Sequence, residues 1–389
     1  MSVATDPALG LIEGPVHQRL DALSRAREWY GWAGYAAPNA LDTVEFEYFA
    51  LRNQASLLDI SPMHKYRITG PDAERALNRM VTRDVTRIGI GRVGYAVWCD
   101  EEGMVIDDGT LFRFGSDDWR LCCQEPMLTW LLDAVWGFDA NVTDESHAVA
   151  GLALQGPTSF AVLEAAGWDL AKMKPFDVWD LGDVLISRTG FTGDLGYELW
   201  MPWDDALKVW DRLWNAGDNW GLRAIGYAAV NIARVEAGFL TAGVDFQPVH
   251  ATERLHRGKT PQELGLSRMV DMGKGHFNGR RALVQARPRS QLMKVDVEGF
   301  KPATNALVYY RKRREVGHIT SGVWSPTAKR NIALAHVDMP WAARRPFDLW
   351  AEIYTLEDGK WDTRMARLTP VTRPFFAPSR ARLTPPART

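Results

Sequence analysis

Two adjacent aspartates stand inside a stretch that otherwise suits a buried strand, "VIDDGTLFRF" from Val105 to Phe114. Successive side chains of a strand point to opposite faces, so Asp107 and Asp108 cannot share one task. We expect one to face water or to cap the strand, and the other to point into the molecule. An inward carboxylate is costly unless a charged or strongly donating group meets it, so this pair marks a candidate site.

A second acidic candidate follows three glycines that are spaced three residues apart, in "SRTGFTGDLGYELW" (187–200). Glycines permit positive backbone angles and the close approach of a ligand. Glu198 lies on the strand face opposite Tyr197 and Leu199 and could be a buried acceptor. From these residues alone, a hairpin with a solvated glutamate is an equal alternative.

A third motif, "GIGRVG" (89–94), has the spacing of a dinucleotide-binding loop. That function needs a strand before the loop and a helix after it, so that a phosphate can bind at the helix N-terminus. The residues that follow, "YAVWCDEEG", are typical of a strand and a turn. We therefore predict a tight turn here.

Composition argues against several classes of protein. The 389 residues are 46% hydrophobic and 24% charged, which predicts a globular protein of two or three domains. A net charge of -2 gives no reason to expect nucleic acid or an anionic membrane as partner. There is no apolar run of roughly 18 residues and no secretion signal, so we expect a cytoplasmic location. Neither the three cysteines nor the eight histidines have metal-ligand spacing, so no metal is expected.

The elements that position these acids follow from periodicity. Residues 40–59 predict a helix capped by Asp42 and Glu45, and residues 70–85 predict a second helix. Hairpins are expected from Tyr95 to Cys123, and a mixed α and β middle follows. Short strands after about residue 290 predict a small β domain. The last eighteen residues are rich in proline and arginine and predict an arm or a disordered tail.

Six ordered blocks together resemble the aminomethyltransferase family, the T-protein of glycine cleavage and its relatives. They are "VGYAVWCDEEGMVIDDG", "LALQGP", "SRTGFTGDLGYEL", "RVEAG", "PQELGL" and "EVGHITSGVWSPT", and the likeness spans about residues 30 to 370. The resemblance implies an α+β fold: a folate-binding module of two intertwined α+β subdomains around a central hole, followed by a C-terminal β-barrel. We place the module at 1–285, the barrel at 286–371 and the tail at 372–389.

The resemblance also implies roles for individual residues, with tetrahydrofolate as the cofactor. Asp108 matches the catalytic carboxylate beside the reactive folate nitrogen, which it could orient or deprotonate. Glu198 matches the residue that accepts the paired donors of the pterin ring. Further cofactor-binding positions are Tyr95, Gln124, Phe191 and Phe239, and Met63 is expected to line the hole.

Departures from the family pattern point to an unusual one-carbon donor. An arginine and an aspartate of typical T-proteins are replaced by Val230 and Asn231, which removes a cation from the substrate region. Arg268 stands in place of a tryptophan, and "LYG" becomes "TAG" at 241–243. Arg234 and Glu236 of "RVEAG" fit the family too, although a structural ion pair is an equal explanation.

The first functional hypothesis is a demethylase that moves a methyl or methylene unit from a small N-, S- or O-methylated donor to tetrahydrofolate. Its partner is that small molecule, with neither nucleic acid nor membrane. Tyr30, Tyr35 or His256 could protonate an ether leaving group. An onium donor would need only an aromatic surround, for which Trp29 and Trp32 are candidates.

Two alternatives remain open. A true T-protein would take an aminomethyl group from the lipoyl arm of an H-protein and release ammonia. A non-catalytic folate-binding protein of the same family would carry cysteine in a "KGC" motif, where this chain has His276. Retention of Asp108 favours chemistry.

Overall fold

The computed structural model describes residues 5–6, 10–252, 257–299 and 301–386. Its helices are α1 (His17–Leu23), α2 (Val44–Asn53), α3 (Ala73–Met80), α4 (Leu128–Ala134), α5 (Ser159–Ala165), α6 (Ala206–Gly217), α7 (Tyr227–Ala237) and α8 (Arg280–Gln285). In this described part of the chain, none of the helices has the length and apolar character needed to cross a membrane.

The strands fall into an N-terminal module and a C-terminal part. Those of the module are β1 (Thr5–Asp6), β2 (Leu11–Glu13), β3 (Glu28–Trp32), β4 (Tyr35–Ala40), β5 (Ser56–Asp59), β6 (His64–Thr69), β7 (Arg92–Cys99), β8 (Val105–Arg113), β9 (Asp118–Cys123), β10 (Asn141–Asp144), β11 (Val149–Gln155), β12 (Val178–Asp180), β13 (Leu185–Ser187), β14 (Gly196–Pro202) and β15 (Arg223–Ala224). Those of the C-terminal part are β16 (Ser290–Val297), β17 (Leu307–Tyr310), β18 (Arg314–Ser325), β19 (Arg330–Asp338), β20 (Leu349–Glu357) and β21 (Lys360–Val371).

Two sheets of the N-terminal module are interleaved along the chain. A five-stranded sheet has the order β10-β6-β9-β8-β7, and a six-stranded sheet has the order β12-β13-β14-β11-β5-β15. The chain therefore leaves the six-stranded sheet after β5, builds the whole five-stranded sheet, and returns at β11. A smaller sheet, β1-β2-β4-β3, precedes both.

The C-terminal strands close into a barrel of the order β16-β19-β18-β17-β20-β21. The predicted fold class, an α+β module of two intertwined subdomains followed by a β-barrel, is confirmed. Alternating strand residues fill the barrel with apolar side chains, among them Val308, Ala333, Ala335 and Ala351, which are fully buried.

Helix α3 shows how local pattern produces the packing. Its buried residues, Ala73, Ala76, Leu77 and Met80, recur at helical spacing and form one face. That face packs in a cluster with Trp98, Ile106 and Trp119 on one side of the five-stranded sheet. The predicted turn at 89–94 is also confirmed, because Gly91 has a φ of 74° and β7 begins at Arg92.

The helix predicted over residues 40–59 is shorter than expected. It ends at Asn53, and residues 56–59 form β5, which pairs with β11 and β15. Sheet pairing of "SLLD" outweighs the helical period, as tertiary context often does. The cap also differs: Thr43 is the N-cap, and Glu47 rather than Glu45 accepts the N–H groups of Leu41 and Asp42, each at 2.7 Å.

The last described residues, 372–386, form an arm that runs back across the N-terminal module. The N–H of Phe376 donates to the carbonyl of Glu236 at 3.0 Å. Arg380 donates to both carboxylate oxygens of Asp194. Of the two expectations for this segment, an arm or a disordered tail, the arm is the one that the structure has.

Candidate functional site

The two adjacent aspartates lie in β8, between β7 and β9, and point to opposite faces of the five-stranded sheet. Asp107 is opposite Trp98, on the face that packs against α3, and is fully buried. It accepts the N–H groups of Asp108 at 2.8 Å and of Glu125 at 2.9 Å. Burial, and then the charge of Asp108, raise the pKa of Asp107 well above its usual range. Asp107 therefore fits the capping role that we expected for one of the two aspartates. It does not face water.

Asp108 points from the other face of the sheet, beside Tyr95 of β7. The hydroxyl of Tyr95 donates to Asp108 Oδ2 at 2.7 Å. Burial raises the pKa of Asp108 to about 6, although the Tyr95 hydrogen bond acts in the opposite direction, and the charge of Asp245 raises the pKa further. A carboxyl group with this pKa can exchange a proton near neutral pH.

Glu198 of β14 points away from Tyr197 and Leu199, which are fully buried in the core on the other side of the sheet. Its carboxylate accepts one hydrogen bond, from Thr189 Oγ1 at 2.6 Å. Burial raises the pKa of Glu198. Glu198 is half-buried rather than fully solvated, and its single hydroxyl partner leaves spare acceptor capacity.

Asp108 and Glu198 face the same region, between the five-stranded and six-stranded sheets. An apolar cluster joins these sheets here and includes Phe112 and Cys122 from one, and Ala153 and Trp200 from the other. Cys122 is opposite Thr110, on the Asp108 side of its sheet, and Ala153 is opposite Glu198. Burial raises the pKa of Cys122 to about 12, and the charge of Glu198 contributes to that rise. We call this region the inter-sheet site.

Two different constraints require glycine at the three positions before Glu198: limited space and backbone conformation. A Cβ on Gly190 or Gly196 would lie about 2 Å from Gln155 Oε1, at 2.0 and 2.1 Å respectively. The amide of Gln155 fills this gap and donates to the carbonyls of Thr189 and Tyr197, each at 3.2 Å. Gly193 instead has a φ of 71°, which favours glycine. The motif therefore shapes the loop that carries Phe191.

Phe191 and Phe239 lie in two separate loops and stack on each other. Their ring centroids are 5.7 Å apart with an angle of 23° between the planes. Both rings keep more than a third of their surface exposed, 37% and 38%. Two exposed, stacked rings form an apolar wall of the kind that binds a flat heterocycle.

Two of the other predicted residues pack on the inter-sheet site. Met63 and Trp32 pack, partly buried, on the apolar cluster that joins the two sheets. Tyr30 packs against Tyr227 with ring centroids 5.6 Å apart, and burial raises its pKa far above the usual value. Trp29 instead contacts His17 with the two rings tilted by 43° and packs on the other face of the six-stranded sheet.

The structure places two of the remaining predicted residues, Tyr35 and Val230, in other surroundings. Tyr35 shares a hydrogen bond with His147 and packs on Trp203. Val230 is 4% exposed and packs with Leu51 in the contact between α2 and α7, so the apolar replacement has a packing role. Gln124 directly follows β9, beside the turn that Asp107 caps. His256 lies outside the described residues.

Arg234 and Glu236 form separate structural pairs. Arg234 pairs with Asp245 and donates to Ser321 Oγ of the barrel at 2.7 Å. Glu236 accepts from Arg52 Nη2 at 2.6 Å and from the hydroxyl of Tyr48 at 2.6 Å. All four charged side chains are at most 4% exposed. The structural explanation of "RVEAG" is thus supported, and neither guanidinium is free.

Sequence reasoning missed Lys65, which is fully buried in β6 opposite Cys122. Its ammonium donates to the carbonyls of Ser61 and Met63, both at 2.7 Å. Burial lowers the pKa of Lys65 to about 8. The strand-like sequence "HKYRITG" could have indicated this position, because Lys65 and Tyr66 must point to opposite faces of the sheet. Lys65 shares its face with Cys122.

Comparisons with known proteins agree with this architecture. Residues 17–274 match the family model of the GCVT N-terminal domain, and residues 291–376 match that of the glycine cleavage T-protein C-terminal barrel domain. An aminomethyltransferase of Caldanaerobacter subterraneus is 31% identical over 80% of this chain and 84% of its own length.

Two further proteins are similar over most of the chain. A trimethylamine-oxide aldolase of Ruegeria pomeroyi is 31% identical over 85% of this chain, which corresponds to 42% of that longer protein. The solved structure of the glycine cleavage system aminomethyltransferase T from Bartonella henselae has a TM-score of 0.82 and 24% identity, covering 94% of this chain and 98% of that one. At that identity the structural likeness shows the fold.

Proposed function

Because the chain belongs to the aminomethyltransferase family of tetrahydrofolate-dependent transferases, we propose that it moves a methyl or methylene unit from a small methylated donor to tetrahydrofolate. The observation that carries the proposal is Asp108, a half-buried carboxyl group that has a pKa of about 6 and the hydroxyl of Tyr95 as its partner. An acid that titrates near neutral pH is typical of a catalytic group.

The residues around Asp108 fit a reduced folate. Glu198 is desolvated, and its one hydroxyl partner leaves acceptor positions for the paired N–H donors of a pterin ring. Phe191 and Phe239 offer exposed ring faces to a flat aromatic group. We infer that Glu198 holds the ring edge and that the two phenylalanines, with Met63 and Tyr95, surround the ligand.

Tetrahydrofolate, when bound, supplies an amine nitrogen that accepts the one-carbon unit. The carboxylate of Asp108 can take the proton that this nitrogen loses and can stabilise positive charge near it. Tyr95 holds Asp108 Oδ2 in place by its hydrogen bond at 2.7 Å. Holding both reactants in one orientation is worth several kcal/mol in addition.

The leaving group narrows the class of donor. An ether oxygen would leave as an anion and would require an acid. Tyr35 is bound to His147, and burial makes Tyr30 a weaker acid than usual. A cationic methylated nitrogen or sulfur leaves as a neutral group and needs no proton. We therefore favour a quaternary ammonium or sulfonium compound over an aryl methyl ether, and the similarity to a trimethylamine-oxide aldolase supports a nitrogen compound.

A second candidate function is that of a glycine cleavage T-protein, which works with an H-protein. The likeness to aminomethyltransferases and to a T-protein fold favours it. Val230 packs in the α2–α7 contact, so the replacement of a family arginine at this position does not distinguish the two donors. A purely folate-binding role does not require the raised pKa of Asp108, whereas a catalytic role does.

The test is to incubate the protein and tetrahydrofolate with methylated amines, sulfonium compounds and aryl methyl ethers in parallel. Mass spectrometry then identifies which donor adds carbon to the folate. The proposal expects an adduct with a nitrogen or sulfur donor. Ammonia release that depends on H-protein, with no adduct from any small donor, would establish the T-protein function instead.

A further inference from the structure

The arm at residues 372–386 contacts both ends of the loop between β13 and β14, which comprises residues 188–195. At one end, the carboxylate of Asp194 is fully buried and accepts two hydrogen bonds from Arg380, at 2.7 and 2.8 Å. Arg52 lies 3.6 Å from the same carboxylate. This is a bidentate pair, the arrangement that fixes geometry best.

At the other end, Arg188 is 4% exposed, and its guanidinium also meets the arm. It donates to the carbonyl of Leu383 at 2.6 Å and to Thr384 Oγ1 at 3.2 Å, and to Met173 O at 2.8 Å. Arg188 forms no ion pair with any residue that the structure describes. A buried cation of this kind depends on oriented carbonyl groups, and the arm supplies two of them, from Ala381 and Leu383.

Two phenylalanines anchor the start of the arm, ahead of these contacts in the chain. The ring of Phe376 lies 4.1 Å from the guanidinium carbon of Arg52, which also binds the loop carbonyl of Thr192 at 2.9 Å. Phe375 packs in the cluster that contains Tyr95 and Leu240. The arm therefore spans from the surroundings of Asp108 to the loop that carries Phe191.

Thr192, next to Phe191, is 2% exposed and its hydroxyl donates to Gln155 Oε1 at 3.1 Å, but the Phe191 side chain itself has little support beyond Phe239. Phe191 and Phe239 keep more than a third of their surface exposed, so their stacking buries limited area. Ordering a loop costs conformational entropy, and the stacking of two partly exposed rings offsets little of that cost. Preformed loops bind ligands more tightly because this cost is met before binding.

We infer that the C-terminal arm completes the tetrahydrofolate site, with Arg380 and Arg188 as positioning residues that hold loop 188–195 and so orient Phe191. The inference rests on the proposed function, since it takes the ligand from it. It assigns the arm a role in ligand affinity that is distinct from a role in global stability.

The experiment compares Arg380→Ala with Arg382→Ala, an exposed arginine of the same arm that makes no ion pair in the described part of the chain. Calorimetry measures the Kd for tetrahydrofolate without a donor, and hydrogen exchange measures protection of peptides across 188–196. We expect Arg380→Ala to raise the Kd about tenfold and to lose protection in that loop. Arg382→Ala should match the wild type in both.

A second variant covers a failure of Arg380→Ala to fold. Arg380→Lys keeps the charge but loses the bidentate geometry, and it should give an intermediate Kd and intermediate loop protection. An unchanged Kd in these variants, or protection lost uniformly across the chain, would overturn the inference. If wild-type protein has no affinity for tetrahydrofolate, the proposed function itself fails, so the two failures are distinguishable.

Discussion

Two groups of carboxylates inside the fold differ in the chemical groups that they contact. In the structural network, Glu236 faces Arg52, Asp194 faces Arg380 and Asp245 faces Arg234. In the inter-sheet site, Asp108 and Glu198 each accept a hydroxyl hydrogen bond, and neither forms an ion pair among the described residues. Glu236, Asp245 and the side chain of Asp194 are almost fully buried, whereas Asp108 and Glu198 are half-buried. The clearest difference between the two groups is the presence or absence of a cation.

Glu263 makes the contrast measurable in terms of pKa. It is 1% exposed, and burial alone would raise its pKa. The N–H groups of Thr260 and Arg289 and the charge of Arg289 outweigh burial, so the pKa is lowered. The pKa values of Asp108 and Glu198 are raised because these two acids have no cationic partner among the described residues. An acid left in this state destabilises the fold, which suggests retention for a ligand.

The largest effect is expected from Asp108→Asn. Turnover should fall by about 10² to 10⁴, the usual contribution of a positioned acid or base, while the Kd for tetrahydrofolate changes little. Single-turnover kinetics and calorimetry measure the two quantities. Equal turnover in the variant would reject the catalytic role.

The same substitution should stabilise the protein. Because the folded-state pKa of Asp108 is raised to about 6, its ionised form destabilises the native state as pH rises from about 4 through 6. At pH 8, Asp108→Asn should raise the free energy of unfolding by about 1 to 2 kcal/mol, and at pH 4 by much less. Urea unfolding at both pH values tests this.

The network carboxylates should behave in the opposite way. Glu236→Gln leaves the buried Arg52 without its strongest partner and should lower the free energy of unfolding by about 3 kcal/mol. Asp211→Asn, which breaks the half-exposed pair with Arg19, is the matched control and should have a much smaller effect. A loss at Glu236 no larger than at Asp211 would erase the distinction between the two groups.

A smaller effect is expected from Tyr95→Phe. Asp108 must be ionised to accept a proton, so kcat/KM should fall as pH drops through about 6. Removing the Tyr95 hydroxyl removes a donor that lowers this pKa, so the midpoint should move up by about one pH unit. Tyr309→Phe, on the barrel, should leave the profile unchanged. A profile for Tyr95→Phe that coincides with the wild type would show that the hydrogen bond does not act on Asp108.

Local pattern predicted much of the fold and the orientation of both acids. Strand alternation places Asp107 and Asp108 on opposite faces, and Glu198 opposite Tyr197, because the period of two holds within a single strand. The resemblance to the family then predicted the two intertwined subdomains and the barrel, which periodicity alone does not indicate.

Long-range pairing lay beyond such reasoning. Arg52 meets Glu236 across 184 positions, and Arg380 meets Asp194 across 186. Nothing in the neighbourhood of "ALRNQ" indicates that its arginine will be buried against a distant acid. The docking of the arm and the end of α2 before β5 have the same cause, since each is decided by partners far away in the chain.

The most direct test of the contrast is thermal unfolding at pH 8 of the wild type, Glu198→Gln and Glu263→Gln, with and without tetrahydrofolate. Glu198→Gln should unfold at a higher temperature than the wild type without ligand and should lose most of the ligand-induced rise. Glu263→Gln should unfold at a lower temperature and keep that rise. Equal losses of the rise in both variants, or no rise in the wild type, would contradict the assignment of the unpaired carboxylates to the ligand site.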